Sequence, residues 1–121
     1  MYEPTIAVEN VSKMHIHIST ESRACVDLDR ADYLAEQYDG LIPPIFWFAR
    51  IKAVKESQGD GTFLMKRLCE HADAQEATII NEINPYGRMD LAELQEWFQK
   101  FGFELIREGL VIRKPKCHQE T

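Results

Sequence analysis

One stretch constrains the fold more than any other. Ile45 to Val54 reads as a strand rich in aromatic and aliphatic residues, apolar on both faces in its first half, as a central strand is. A glycine turn, Gln58-Gly59-Asp60-Gly61-Thr62, then opens into an amphipathic helix from Phe63 to about Gln75, where Leu64, Leu68 and Ala72 recur at helical spacing beside Met65. A second strand runs from Ala77 to Ile83. After a turn at Asn84-Pro85-Tyr86-Gly87 comes a second helix, Asp90 to Lys100, with Leu91, Leu94, Trp97, Phe98 and Phe101 as its apolar face. Asp90 and Glu93 are spaced as a capping pair, Gly102 fits the C-cap, and an apolar pair of strands closes the chain. A strand, a crossover helix and a strand in one sheet pair in parallel. The class expected is therefore α/β (α+β), as a single domain over residues 1–121.

The glycine turn has a chemical meaning as well. A helix start preceded by glycines is an anion site, because unpaired backbone N–H groups and the helix dipole face the ligand. The local order excludes two common phosphate signatures. A Walker loop places a lysine after its last glycine, and here Thr62 and Phe63 follow Gly61. A dinucleotide fingerprint needs a third small residue, and Leu64 fills that position. A tight strand-to-helix connection is the structural alternative, with glycine supplying unusual backbone angles.

At this point the chain resembles the GNAT superfamily of N-acetyltransferases. One family pattern is a strand followed by Arg/Gln-x-x-Gly-x-Gly/Ala opening a helix. It is matched here by Ile45-Phe46-Trp47-Phe48-Ala49-Arg50-Ile51 and Gly59-Asp60-Gly61-Thr62-Phe63. The other, Phe-Tyr-x-x-x-Gly-Phe, is matched by Trp97-Phe98-Gln99-Lys100-Phe101-Gly102-Phe103, and the chain closes on Leu110-Val111-Ile112-Arg113-Lys114-Pro115. The resemblance implies a mixed, mostly antiparallel sheet with a central, splayed parallel strand pair, parting near Ile51 and Ile83, and flanking helices. It implies acetyl-CoA (coenzyme A) as cofactor, held by Ser57, Gln58, Gly59, Asp60, Gly61 and Thr62 around the pyrophosphate and by Ala49 and Ile51 along the pantetheine. The implied reaction is direct attack of an amine, on a small molecule or a protein, on the acetyl thioester in a ternary complex.

The chain departs from the pattern at three places. Glu56 stands where the family has Arg or Gln, and Ser57 where a glycine is common. Phe98 stands where many members carry a tyrosine that protonates the leaving thiolate, and phenylalanine has no proton to donate. The strand Ile45–Val54 holds no carboxylate, so Glu82 on the neighbouring strand is the candidate base and Tyr86 the candidate acid. The rival reading is a catalytically reduced CoA-binding or regulatory module on the same fold. Residues 1–44 precede the cofactor strand, so the resemblance would be to a minimal version with a reduced N-terminal half.

Composition sets the remaining bounds. A net charge of −6 disfavours nucleic acid, which needs a basic surface. The three cysteines, Cys25, Cys69 and Cys117, are far apart and form no Cys-x-x-Cys, which fits a reduced, cytoplasmic setting. No apolar run approaches a membrane span, and the N-terminus carries no secretory pattern. A homodimer is an allowed assembly. Met14 to Ile18 alternates as a strand, and Asp29 to Tyr38 has helical character. His15 and His17 share one strand face and offer two metal ligands. No third stands at a recognisable spacing, so no metal is expected and a solvated strand face is the simpler account. Cys69, beside Leu68, reads as a packing residue.

Overall fold

The computed structural model describes residues 4–38, 40–52, 59–83 and 90–116. Among these, the strands are β1 (Ile6–Val11), β2 (His15–Thr20), β3 (Cys25–Arg30), β4 (Ile45–Lys52), β5 (Thr78–Glu82), β6 (Glu104–Arg107) and β7 (Leu110–Arg113). The helices are α1 (Asp60–Ala74) and α2 (Leu91–Gln99), with a 3₁₀ turn at Asp32–Glu36 between β3 and β4. The strands form one seven-stranded sheet in the order β1-β2-β3-β4-β5-β7-β6. The fold is mixed α+β and the sheet mostly antiparallel; β4 and β5 run parallel. None of the described helices is long and apolar enough to cross a membrane.

Both helices lie on one face. The crossovers β4-α1-β5 and β5-α2-β6 step across the sheet in the same direction, and right-handed connections then put both helices on the same side. Period-two alternation supplies the surface they cover. Ile16 and Ile18 of β2, Val26 and Leu28 of β3, and Phe46 and Phe48 of β4 are buried against Leu64, Met65, Leu68 and Ala72 of α1 and Phe98 of α2. Each such side chain contributes about 1.5–3 kcal/mol on leaving water. The other face has a smaller core, Ala31, Leu34, Leu41, Ile45, Ile80, Leu110 and Ile112, gathered under the 3₁₀ turn at its centre.

The second helix begins as its sequence implies. Asp90 accepts from the Glu93 N–H at 2.9 Å, and the Glu93 carboxylate accepts from the Asp90 N–H at 3.1 Å, closing a capping box. Gly102 follows α2 with φ +92°, a left-handed conformation suited to glycine.

The N-terminal third departs from its sequence reading. Asp29 and Arg30 do not start a helix; they end β3, and only Asp32–Glu36 turns, as 3₁₀. The Asp32 carboxylate takes two Arg30 hydrogen bonds, at 2.6 and 2.9 Å, and the Ile45 N–H at 2.9 Å, which anchors the turn to β4. β1 and β3 were not anticipated. Residues before β4 therefore supply three antiparallel strands, and a long helix is absent there among the described residues.

Candidate functional site

The β4–β5 ladder pairs Ile45 with Thr78, Phe46 with Ile79 and Trp47 with Ile80, then stops. Both strands continue, β4 to Lys52 along β3 and β5 to Glu82 along β7, so the sheet forks. The parting comes earlier than Ile51 and Ile83, and its cause is local. Leu28 faces Phe48 and Asp27 faces Arg50, which leaves Ala49 as an extra residue in β4. A bulge bends its strand and increases the twist, turning β4 off β5. Ala49 is exposed on this segment; Ile51 pairs with Val26 and is half-buried against the helix-side core.

Beyond the fork stands Gly59, whose φ of +83° favours glycine; an added Cβ would meet no atom of the described residues within 4 Å. Among the described residues, no side chain caps α1. Its first turn, Asp60-Gly61-Thr62, faces the β2–β3 turn, where Ser22 Oγ donates to the Asp60 carboxylate at 3.0 Å. Asp60 is fully buried. The second glycine has a different neighbour: a Cβ on Gly61 would sit 3.5 Å from the Trp97 ring, ordinary contact distance. Thr62 is half-buried in the same turn.

Of the two candidate acid–base groups, Glu82 lies among the described residues. Glu82 ends β5 exposed, with Arg107 Nη2 at 3.5 Å. Phe98 is only 2% exposed and sits in a cluster of edge-on rings, 5.5 Å from Phe48 and 5.2 Å from both Trp97 and Phe103. That position is core, with Trp97 half-buried beside it. Tyr86, Ser57, Gln58 and Glu56 lie outside the described residues. A surface depression of about 480 Å³ lined by Phe63, Arg67, Glu70 and Phe101 lies along α1 and does not include the fork residues.

On the bare face, beside the fork, the strands assemble a polar cluster that sequence reasoning held only in part. His15 Nδ1 is 2.6 Å from Asp29 Oδ1, and His17 Nδ1 is 2.6 Å from Asp27 Oδ1. His15 Nε2 lies 3.5 Å from that same Asp27 oxygen. Arg50 donates from Nε and Nη2 to Asp27 Oδ2 at 3.0 and 2.9 Å. Burial pushes the Asp27 carboxyl up, but the hydrogen bonds from His17 and Arg50 outweigh it and hold it below the usual range. The antiparallel register sets His17 opposite Asp27 and His15 opposite Asp29, so the carboxylates come from the next strand and not from a short sequence spacing.

Compared with known protein families, characterised proteins and solved structures, the chain matches none.

Proposed function

We propose that this chain is a small GNAT-like protein that binds acetyl-CoA at the β4–β5 fork and transfers the acetyl group to an amine. The observation that carries the reading is the fork itself: a parallel pair in the middle of an otherwise antiparallel sheet, parted after Trp47 and Ile80, with a glycine-led helix starting beyond it. The resemblance asks for that arrangement. The uncapped first turn of α1 and the open backbone at Gly59 suit a pyrophosphate. Ala49 and Ile51 flank the gap where pantetheine would lie. Acetyl-CoA supplies an activated thioester. The chain's part is to hold it beside the amine, since positioning accounts for much of such a rate, and to offer backbone N–H groups to the carbonyl oxygen.

A second reading is favoured by a specific observation. Phe98 is buried among aromatic rings and offers no proton, and Glu82 stands exposed beside Arg107. A module that binds the cofactor without turnover fits those residues.

Calorimetry with acetyl-CoA, followed by thiol release over a panel of amines, separates the readings. Binding with turnover is the expected result, binding alone selects the second reading, and no binding removes both. At a hundredfold excess over its dissociation constant the cofactor should stabilise the fold by about 2.7 kcal/mol. Gly61→Ala, whose Cβ meets Trp97 at ordinary distance, should keep that gain, and Gly61→Asp should lose it.

A further inference from the structure

We infer that His15, His17 and Asp27 form a binding site for a divalent transition-metal ion of the zinc class, on the sheet face that the helices leave bare. One nitrogen from each histidine and one Asp27 oxygen lie within 4.8 Å of one another. Zinc bonds of about 2.0–2.1 Å place tetrahedral ligand atoms about 3.3 Å apart. His15 Nε2 and Asp27 Oδ1, at 3.5 Å, already have that spacing. The 2.6 Å contact between His17 Nδ1 and Asp27 must open slightly as the ion takes the place of the shared proton, by a small rotation of the partly buried ring.

The donor count argues for a cation here. An ionised carboxylate only accepts, and a neutral imidazole carries one N–H. His15 faces a carboxylate oxygen with each ring nitrogen, Asp29 at Nδ1 and Asp27 at Nε2. Its one N–H serves the shorter contact, to Asp29, and leaves the Nε2 lone pair aimed at the Asp27 oxygen. A cation between them turns a repulsive pair of acceptors into two ligands.

The supporting groups are those a metal site uses. The Asp29 carboxylate beside Nδ1 orients the His15 ring, the usual partner of a ligating histidine. Arg50 grips the second Asp27 oxygen with two hydrogen bonds and leaves Oδ1 to face the rings. The His15 and His17 side chains are 45% and 29% exposed, so an ion can enter and water can complete its shell. Imidazole nitrogen with a carboxylate suits zinc, cobalt or nickel over magnesium or calcium. The inference does not rest on acetyl-CoA binding, and either can fail alone.

The competing answer is a proton on His15, which satisfies the same two carboxylates. Titration of the full, tag-free, chelator-treated protein with Co²⁺ alone, and then displacement by Zn²⁺, separates the two. The expected result is one equivalent of Co²⁺ with a visible d–d spectrum, lost on adding Zn²⁺. Asp29→Asn should weaken binding about ten- to hundredfold. The double variant His15→Ala, His17→Ala, on accessible side chains, should abolish it while circular dichroism stays unchanged. Absence of a Co²⁺ spectrum overturns the inference. So does a spectrum that survives in the double variant, which would place the ion elsewhere, for example on the thiols.

Discussion

The two faces of this sheet are built from the same strands and do opposite things. On the helix side, Ile16, Ile18, Val26, Leu28 and Phe48 meet α1 and α2 in a continuous apolar layer. On the other side, the intervening residues His15, His17, Asp27, Asp29 and Arg50 meet one another, in partly exposed cross-strand pairs. Stability and chemistry are thereby separated by a one-residue offset in β2 and β3, and in β4 by the bulge at Ala49, which puts Arg50 on the face opposite Phe48. The face under the helices holds most of the fold; on the other face, the polar part of β2 and β3 beyond the smaller core under the 3₁₀ turn is open to ligands.

The largest effect should come from the covered face. Phe98→Ala removes a ring buried against Phe48, Trp97 and Phe103, and should cost about 3–5 kcal/mol of unfolding free energy in a urea titration. Phe98→Tyr should cost less, about 1–3 kcal/mol, if its hydroxyl enters the cluster without a partner. A Phe98→Ala variant close to wild type would break the contrast between the faces.

An ion pair at the lower edge of the covered face is next. Arg113, 6% exposed, donates to Asp73 at 2.8 and 3.1 Å and to the Phe101 carbonyl at 2.7 Å, tying β7 to the ends of α1 and α2. Burial pushes the Asp73 carboxyl up, and the hydrogen bonds from Arg113 and the Lys116 N–H more than offset it. Asp73→Ala leaves a buried guanidinium without its carboxylate. It should cost about 2–3 kcal/mol, below the figure for a fully buried pair because Asp73 keeps some exposure. Asp73→Ala with Arg113→Met should recover part of the loss, as read in the same titration.

The difference between the faces also explains what could be read from sequence. α1, α2, β4 and β5 were legible because their apolar residues follow local periods that the buried face enforces. Asp90 and Glu93 announced a cap that the structure completes. β3 was not legible: Cys25-Val26-Asp27-Leu28-Asp29-Arg30 buries only alternate apolar residues, and its acids are stabilised by His15, His17 and Arg50 from other strands. β1, with four of its six residues exposed at the sheet edge, had still less signal. The third member of the histidine cluster was hidden for the same reason, since Asp27 faces His17 through strand register and not through sequence spacing. At the fork, Ala49 and Ile51 lie on the β4 segment past the ladder, yet no periodicity marks a bulge, and so the parting was placed too late.

A pH titration sharpens the comparison at the sheet edge. Glu9 of β1 accepts from Arg67 Nε and Nη2 at 2.8 and 2.7 Å, with His71 Nε2 at 3.1 Å. Chiefly through the Arg67 hydrogen bonds, its pKa falls from 4.5 to about 2. A carboxylate depressed by folding contributes stability above its unfolded pKa and loses it as pH falls toward the folded one. Glu9→Gln should therefore be less stable than wild type at neutral pH, by no more than about 1 kcal/mol since the pair is partly solvated. The gap should close between pH 4.5 and about 2. A gap that widens on acidification would remove this link between β1 and α1.

The smallest effect belongs to the bare face. Asp29 has a side chain 61% exposed, and Asp29→Asn keeps its shape and its capacity to accept from His15. In metal-free buffer the substitution should change unfolding free energy by less than about 0.5 kcal/mol, the range for surface positions. The reason is solvation: water replaces most of what an exposed carboxylate gives an imidazole, so the ion pair contributes little net stability. A loss near that of Asp73→Ala would mean that the histidine–aspartate ladder holds the sheet together. The two faces would then share the work of folding, and the polar cluster would need no ligand to account for it.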